Sequence, residues 1–463
     1  CRSRGLGDVY KRQMSNTSSI MANKSLFIAI ILATVSPTRA DYWPQFRGPD
    51  GDGISRATNV PVKFGESSNL TWKTDLPGRG WSSPVCDGKS LWITTAIEIF
   101  PDEEERIELL TEAGEEEKKF KQKQVARSIG LALLEVDYET GSIKQQIKLA
   151  DIEKPDPIHK FNSYASPTPV LSGDKVIAHF GTFGTFCINR MTGDEVWNRK
   201  IELKHSVGPG SSPFIKDDLL VLICDGVDRQ FVTALNVDSG ATVWTTDRPE
   251  MRAEKGDQKK SYNTPIIATD PNGREQLICM GSQWMISYVP ETGEEIWRLD
   301  HGSGFSVVPR PVYSKDNDLL FFSTGFGKPV LMAVHTDGNG DITGTDRVVW
   351  QDPKRIPAKP SPLLLDGRLF VISDGGLTTC FRAANGTILW NGRIDGNYSA
   401  SPVFADGHIY VASEEGKVTV FSPGDRYTEV ATNRIEGSIM ASPIPLNGAL
   451  VLRSDTAVYR FHP

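Results

Sequence analysis

Hydrophobic residues along this chain come in short packets. From about residue 70 to the end, stretches of about four to six positions alternate apolar with polar or are apolar throughout, and they stop at turn residues such as Gly, Asp or Pro. The run 401–425 shows the pattern: SPVFADG is a strand entering a turn, HIYVASEEG a second strand with its turn, and KVTVFSPGD a third. Period-two alternation places side chains on the two faces of a sheet, and the punctuation supplies hairpins. The one departure is 98–128, where PDEEERIELLTEAGEEEKKFKQKQVAR reads as helical, with an acidic front and a basic rear. That order favours charge pairing within the segment and a solvated surface decoration; a lid or a docking arm is the other reading.

The packets repeat. A residue followed by Pro, then an apolar strand and a turn, occurs at Ser83-Pro84, Ser166-Pro167, Ser212-Pro213, Thr264-Pro265, Arg310-Pro311, Ser361-Pro362, Ser401-Pro402 and Ser442-Pro443. The prolines are 83, 46, 52, 46, 51, 40 and 41 residues apart, so only the first unit is markedly long. A period of about 40–50 residues with several strands per unit is that of a propeller blade. A second marker falls late in the unit, a turn Gly four residues before Trp: Gly193 and Trp197, Gly240 and Trp244, Gly293 and Trp297, Gly386 and Trp390. Trp350 closes unit five without that Gly. Gly suits the positive φ of a tight turn, and Trp is expected to wedge between neighbouring blades. The last unit supplies only three strands, whereas 69–74, NLTWKT with Trp72, reads as the missing outer one. The expected fold is therefore all-β: an eight-bladed β-propeller of four-stranded antiparallel blades, its ring closed by an N-terminal strand joining the last blade.

The ends of the chain divide it further. Residues 1–13, CRSRGLGDVYKRQ, contain no Met and read as an assembly artefact; 14–40, starting at Met14 or Met21, read as a signal peptide; 41–69 form a prologue, and 70–463 the propeller. The apolar run 26–35 is ten residues, against the roughly 20 that a membrane span needs. Cleavage before Asp41 would leave 45 basic against 57 acidic side chains, a formal charge of −12. Such a surface repels phosphate backbones, which argues against nucleic acid as a partner. A periplasmic or secreted location follows from the leader. Five cysteines remain, Cys86, Cys187, Cys224, Cys279 and Cys380, with no CxxC, haem-attachment or zinc spacing, so buried thiols inside strands are expected.

The motif Asp/Asn-x-x-Thr-Gly-x-x-x-Trp, in NRMTGDEVW and the degenerate NVDSGATVW, resembles the repeat of the pyrroloquinoline-quinone (PQQ)-like propellers, which include quinoprotein alcohol dehydrogenases and the outer-membrane assembly factor BamB. The resemblance covers about 70–463, and the opening DYWPQFRGPDGDGIS is similar to the prologue of secreted planctomycete-type members. It implies two kinds of activity. The dehydrogenases hold PQQ between a Trp and an adjacent-cysteine disulfide, beside calcium and a carboxylate base, and no two cysteines here are adjacent. BamB-like members imply a protein partner. No lipid-anchoring Cys follows the expected cleavage site.

Candidate function sits where the first strand of each blade meets the channel, because the residues ahead of each Pro line a common funnel. These are Arg79, Trp81, Asn162, Tyr164, His205, Tyr262, Asn263, Phe305, Lys359 and Tyr398. Trp72, Trp197, Trp244, Trp297, Trp350 and Trp390 are assigned structural roles in the repeat. Asp337, Asn339 and Asp341 stand at positions 1, 3 and 5 of a loop, as in calcium loops, but Ile342 replaces the usual Gly, and a plain turn is the competing reading. The expectation is a noncatalytic exported scaffold that grips a protein, peptide or glycan at the funnel face or its loops. The alternatives are a PQQ-using oxidoreductase and a small-ligand-binding propeller.

Overall fold

The computed structural model describes residues 42–463; the expected artefact and signal peptide lie outside the described residues. Eight four-stranded antiparallel blades form a ring, an eight-bladed β-propeller. Their inner strands are Val85–Cys86, Val170–Ser172, Phe214–Lys216, Ile266–Thr269, Val312–Ser314, Leu363–Leu365, Val403–Ala405 and Ile444–Leu446, and the blades are numbered 1 to 8 in that order. In blade 8 the outer strand is Leu70–Asp75, antiparallel to Ala457–Phe461, with Trp72 opposite Arg460 and Asp75 opposite Ala457. Among the described residues no helix is long and apolar enough to cross a membrane.

The core lies between blades. Apolar residues of blade 3, such as Phe214, Val221 and Val232, pack with Leu277, Ile286 and Tyr288 of blade 4, and the other interfaces repeat this. The repeat tryptophans are the polar stitches across these seams. Each indole N–H donates to a carbonyl of the following blade: Trp72 to Tyr138, Trp197 to Val237, Trp244 to Pro290, Trp297 to Thr336, Trp350 to Ala383 and Trp390 to Gly424, at 2.8–3.1 Å. The Gly and Trp of one motif therefore serve different neighbours. Gly240 seats Trp197 of the preceding blade, while Trp244 goes beneath Gly293 of the next. Blade 1 carries Gln145 where the motif expects Trp, and it is this amide that lies against Gly193.

Gly293 shows why the turn residue is specified twice. Its φ is +70°, and a Cβ would stand 2.4 Å from the Trp244 ring. Gly293→Ala is expected to cost about 2–4 kcal/mol, backbone strain plus overpacking. Gly407→Ala, at φ +76° with nothing within 4 Å, is expected to cost only the strain, about 1 kcal/mol. Urea unfolding of the two variants checks this; equal midpoints would show that the Trp seat contributes nothing.

A second system ties the inner strands. The backbone N–H of Ser83 donates to the Thr168 hydroxyl, Thr168 to Ser212, Ser212 to Thr264, Arg310 to Ser361, Ser361 to Ser401, Ser401 to Ser442, and Ser442 back to Ser83, all at 2.9–3.3 Å. Arg310 has no hydroxyl, which leaves the one gap at Thr264. This ring corrects the register expected for blade 2: Thr168-Pro169, directly before Val170–Ser172, holds the repeat position, and Ser166 instead hydrogen-bonds within its own loop to Asn162.

The prologue runs through the ring. Trp43 exchanges backbone hydrogen bonds with Cys86 of blade 1, Pro44 accepts from Leu171 of blade 2, and Ser55 bonds Phe404 of blade 7 and, through its hydroxyl, Pro445 of blade 8. Farther on, Val60 and Phe64 join the core between blades 7 and 8.

Candidate functional site

Within each blade the inner strand starts at the face also reached by the turns between the second and third strands, and this is the funnel face. At blades 1 and 2 it carries a fixed aromatic ledge. The Trp81 N–H groups are held by Ala165 and Ser163 from the backbone and by the Phe161 carbonyl from the indole, at 3.1–3.2 Å. Arg79 lies over the Trp81 ring, 5.5 Å from its centroid, and is fixed by both oxygens of Glu98. Burial pushes the Glu98 carboxyl up despite that guanidinium. Phe161 stands two-thirds exposed at this ledge.

The arc continues round the rim. Asn162 donates to the carbonyls of Val207 and Pro209, and the Tyr262 hydroxyl to that of His205. His205 Nε2 accepts the Thr182 N–H at 3.1 Å, and burial pushes the imidazole down to about 4, so it is a neutral acceptor holding two blade loops together. Phe305 pairs through its backbone with Phe326, and Lys359 forms an ion pair with Glu414 at 2.7 Å on the far side. Four expected funnel residues belong to the interior instead. Tyr164, Tyr262, Asn263 and Tyr398 are buried, Tyr164 and Tyr398 in core clusters, because loops of adjacent blades close over the start of each inner strand. No repeat position marks Phe161 in the sequence; only its neighbour Asn162, among the residues expected at the funnel, points to the same loop.

The charged insert forms part of this face. Residues 98–128 contain helix α1 (Glu103–Glu112), capped by Asp102, a 3-10 turn at Glu117–Gln122, and the strand Lys123–Gln124, which pairs with Ile158–His159. Lys123 is buried and donates to Glu115 and to the Ser206 carbonyl, while Lys119 approaches Asp257 at 3.4 Å. Asp257 also binds Lys260 and the Ser206 hydroxyl, and its carboxyl is held well below the usual range by these donors against the cost of burial. The insert is therefore an ionic strap over the loops of blades 2 to 4. This differs from a detached decoration, since Leu109, Leu110 and Val125 give it a core of its own.

The residues do not fit PQQ as the resemblance implies it. The five cysteines among the described residues stand one each in blades 1, 2, 3, 4 and 6, all buried, so none of them is adjacent to another; burial pushes the thiols of Cys187, Cys279 and Cys380 up to about 12. Nor do the calcium-loop residues form a cage. Asp337 is engaged by Arg347, Asp341 accepts the Thr343 N–H, and Gly340–Asp341 adds in parallel to the outer strand of blade 4, with Ile342 packed in the same core as Trp297. Among the described residues no group of three His, Cys, Asp or Glu side chains is arranged for a metal ion.

This ring of Trp-stitched four-stranded blades is a PQQ-like β-propeller. The family model described as outer membrane protein assembly factor BamB matches residues 87–246 and 281–429, and the chain belongs to that family. Among solved structures it is similar to BamB from Moraxella catarrhalis, with TM-score 0.52 and 16% identity over 73% of this chain and 96% of that one. It is also similar to the quinohemoprotein alcohol dehydrogenase ADHIIG from Pseudomonas putida HK5, with TM-score 0.56 and 11% identity over 91% and 80%. A computationally designed protein, Ika8, gives TM-score 0.50 and 11% identity over 74% and 97%. At these identities the likeness is one of fold. No curated protein matches the chain.

Proposed function

We propose that this chain is a noncatalytic, exported scaffold that grips a protein partner at the funnel face, on the ledge of Arg79, Trp81 and Phe161. The observation that carries the reading is the ledge itself: a tryptophan pinned by one hydrogen bond from its indole and two from its backbone N–H, stacked by an immobilised guanidinium, beside a phenylalanine 66% exposed. Rigid aromatic and Arg groups are the usual anchors of protein interfaces, since little side-chain entropy remains to be lost on binding. Membership of a family described as an assembly factor supports a protein partner over a small ligand. The quinoprotein alternative lacks the residues it needs. Export through a leader cleaved before Asp41, and membership of the planctomycete-type secreted group, belong to the same proposal; a mature chain beginning at Asp41 in the exported fraction is the expected finding.

A photoreactive benzophenone side chain placed at position 161, and in a control at Met191, which is 73% exposed on the turn before the outer strand of blade 2, tests the ledge in cells. A protein adduct from 161 that is absent from 191 and weakened roughly 30-fold by Trp81→Ala is expected, as for an interface anchor. Equal labelling from both positions, or no adduct from either, sinks the reading.

A further inference from the structure

The wall of the channel at the Ser/Thr-Pro positions is chemically one-sided. Prolines carry no N–H, and seven of the backbone N–H groups beside them are taken by neighbouring hydroxyls. What the wall presents to an occupant is carbonyl oxygen, together with one donor of its own, the Arg310 guanidinium at the blade 5 repeat position, so an occupant must bring the other donors. The buried Arg47 of the prologue does so. Arg47 donates to the carbonyls of Pro362, at 2.8 Å, and Pro402, at 3.4 Å, from blades 6 and 7. Arg310 donates to Pro265 of blade 4 at 3.1 Å and then reaches the prologue itself, at the Phe46 carbonyl and the Gln45 side chain. Close approach is allowed by two glycines of the prologue. A Cβ on Gly51 would stand 2.3 Å from Arg310 Nη1, and one on Gly53 2.7 Å from Arg47 Nη2.

We infer that this collar of proline carbonyls is a binding site for an arginine-containing, glycine-turn peptide, that residues 43–55 are its resident ligand, and that the same segment supplied by another molecule can replace them. The contacts are those of a bound peptide: side-chain donors into the wall, a bridge of Ile54 to Phe404, and backbone bonds to three blades, 1, 2 and 7. The tether is the exposed loop 66–68, which holds the segment at a high effective concentration. The collar is distinct from the ledge, and the inference stands whether or not the ledge binds a protein.

The test uses the full chain with a protease site inserted between Ser67 and Ser68. After cleavage of the folded protein, the N-terminal fragment is expected to stay with the ring on gel filtration, and a fluorescein-labelled peptide of residues 42–66 in excess is expected to replace it over hours. The same peptide carrying Arg47→Met and Gly51→Ala is expected to compete at least about 10-fold less well, from the loss of charged hydrogen bonds alone. A ring that unfolds on cleavage, a fragment that never exchanges, or a variant peptide that competes as well as the parent would each overturn the inference.

Discussion

Asp225→Ala is expected to destabilise the ring by about 3–5 kcal/mol, among the largest losses from any single carboxylate in the chain. Asp225 and Arg248 are both fully buried where blade 3 meets blade 4. The carboxylate accepts from Arg248 Nε at 3.1 Å, from Nη2 at 2.9 Å and from the Ser261 hydroxyl at 2.7 Å, and two further guanidinium hydrogens go to the carbonyls of Cys279 and Met280. The Asp225 charge holds the Arg248 guanidinium above its ordinary range although burial pulls it down. Removing the carboxylate strands a cation that water cannot reach. The double variant Asp225→Ala with Arg248→Met is expected to lose less than the single one, because it removes both charges. Urea midpoints of the two variants decide the matter, and a double variant at least as unstable as the single would show that the pair acts through packing.

Acid is expected to cost a comparable amount through two buried histidines. Burial pushes His301 down to about 4 and His179 down to about 3. His301 Nε2 lies 2.9 Å from the Gly281 carbonyl, which can only accept, so Nε2 carries the proton and Nδ1 is bare, buried and without a partner. A second proton would sit at Nδ1 facing no acceptor. Because both folded pKa values lie below the unfolded 6.5, the unfolded chain takes up protons first. Stability from these groups is complete above about pH 6.5 and is lost as pH falls toward 4, by roughly 3 kcal/mol or more for each. Thermal unfolding between pH 7 and 4 should show this slope, and His301→Gln with His179→Asn should reduce it, leaving the part due to His205, whose imidazole burial also pushes down to about 4. Parallel profiles for parent and double variant would place the acid sensitivity elsewhere.

The scaffold was legible because repetition makes a local signal global. Strand packets, turn glycines and outer-strand tryptophans recur at blade spacing, and each blade buries its faces only against the next, so counting units sufficed to name the ring. The same linear reading misassigned Ser166-Pro167, since two Pro dipeptides lie side by side and only the hydroxyl ring distinguishes Thr168. It also placed Tyr164 and Tyr398 in the funnel, because position ahead of a strand says nothing of which loops close over it.

What the sequence by itself determined was the architecture and the stitching residues, both properties of neighbours within or between consecutive repeats. What only the tertiary structure decided was where distant segments meet. Arg47 reaches Pro362 across 315 residues, Ser442 closes on Ser83 across 359, and Lys119 reaches Asp257 across 138. Those contacts leave no period in the chain, since a prologue or a strap occurs once and its partners are fixed by the geometry of the ring. The ledge, the strap and the prologue contacts are therefore consequences of closing the circle, which no local pattern in the chain encodes.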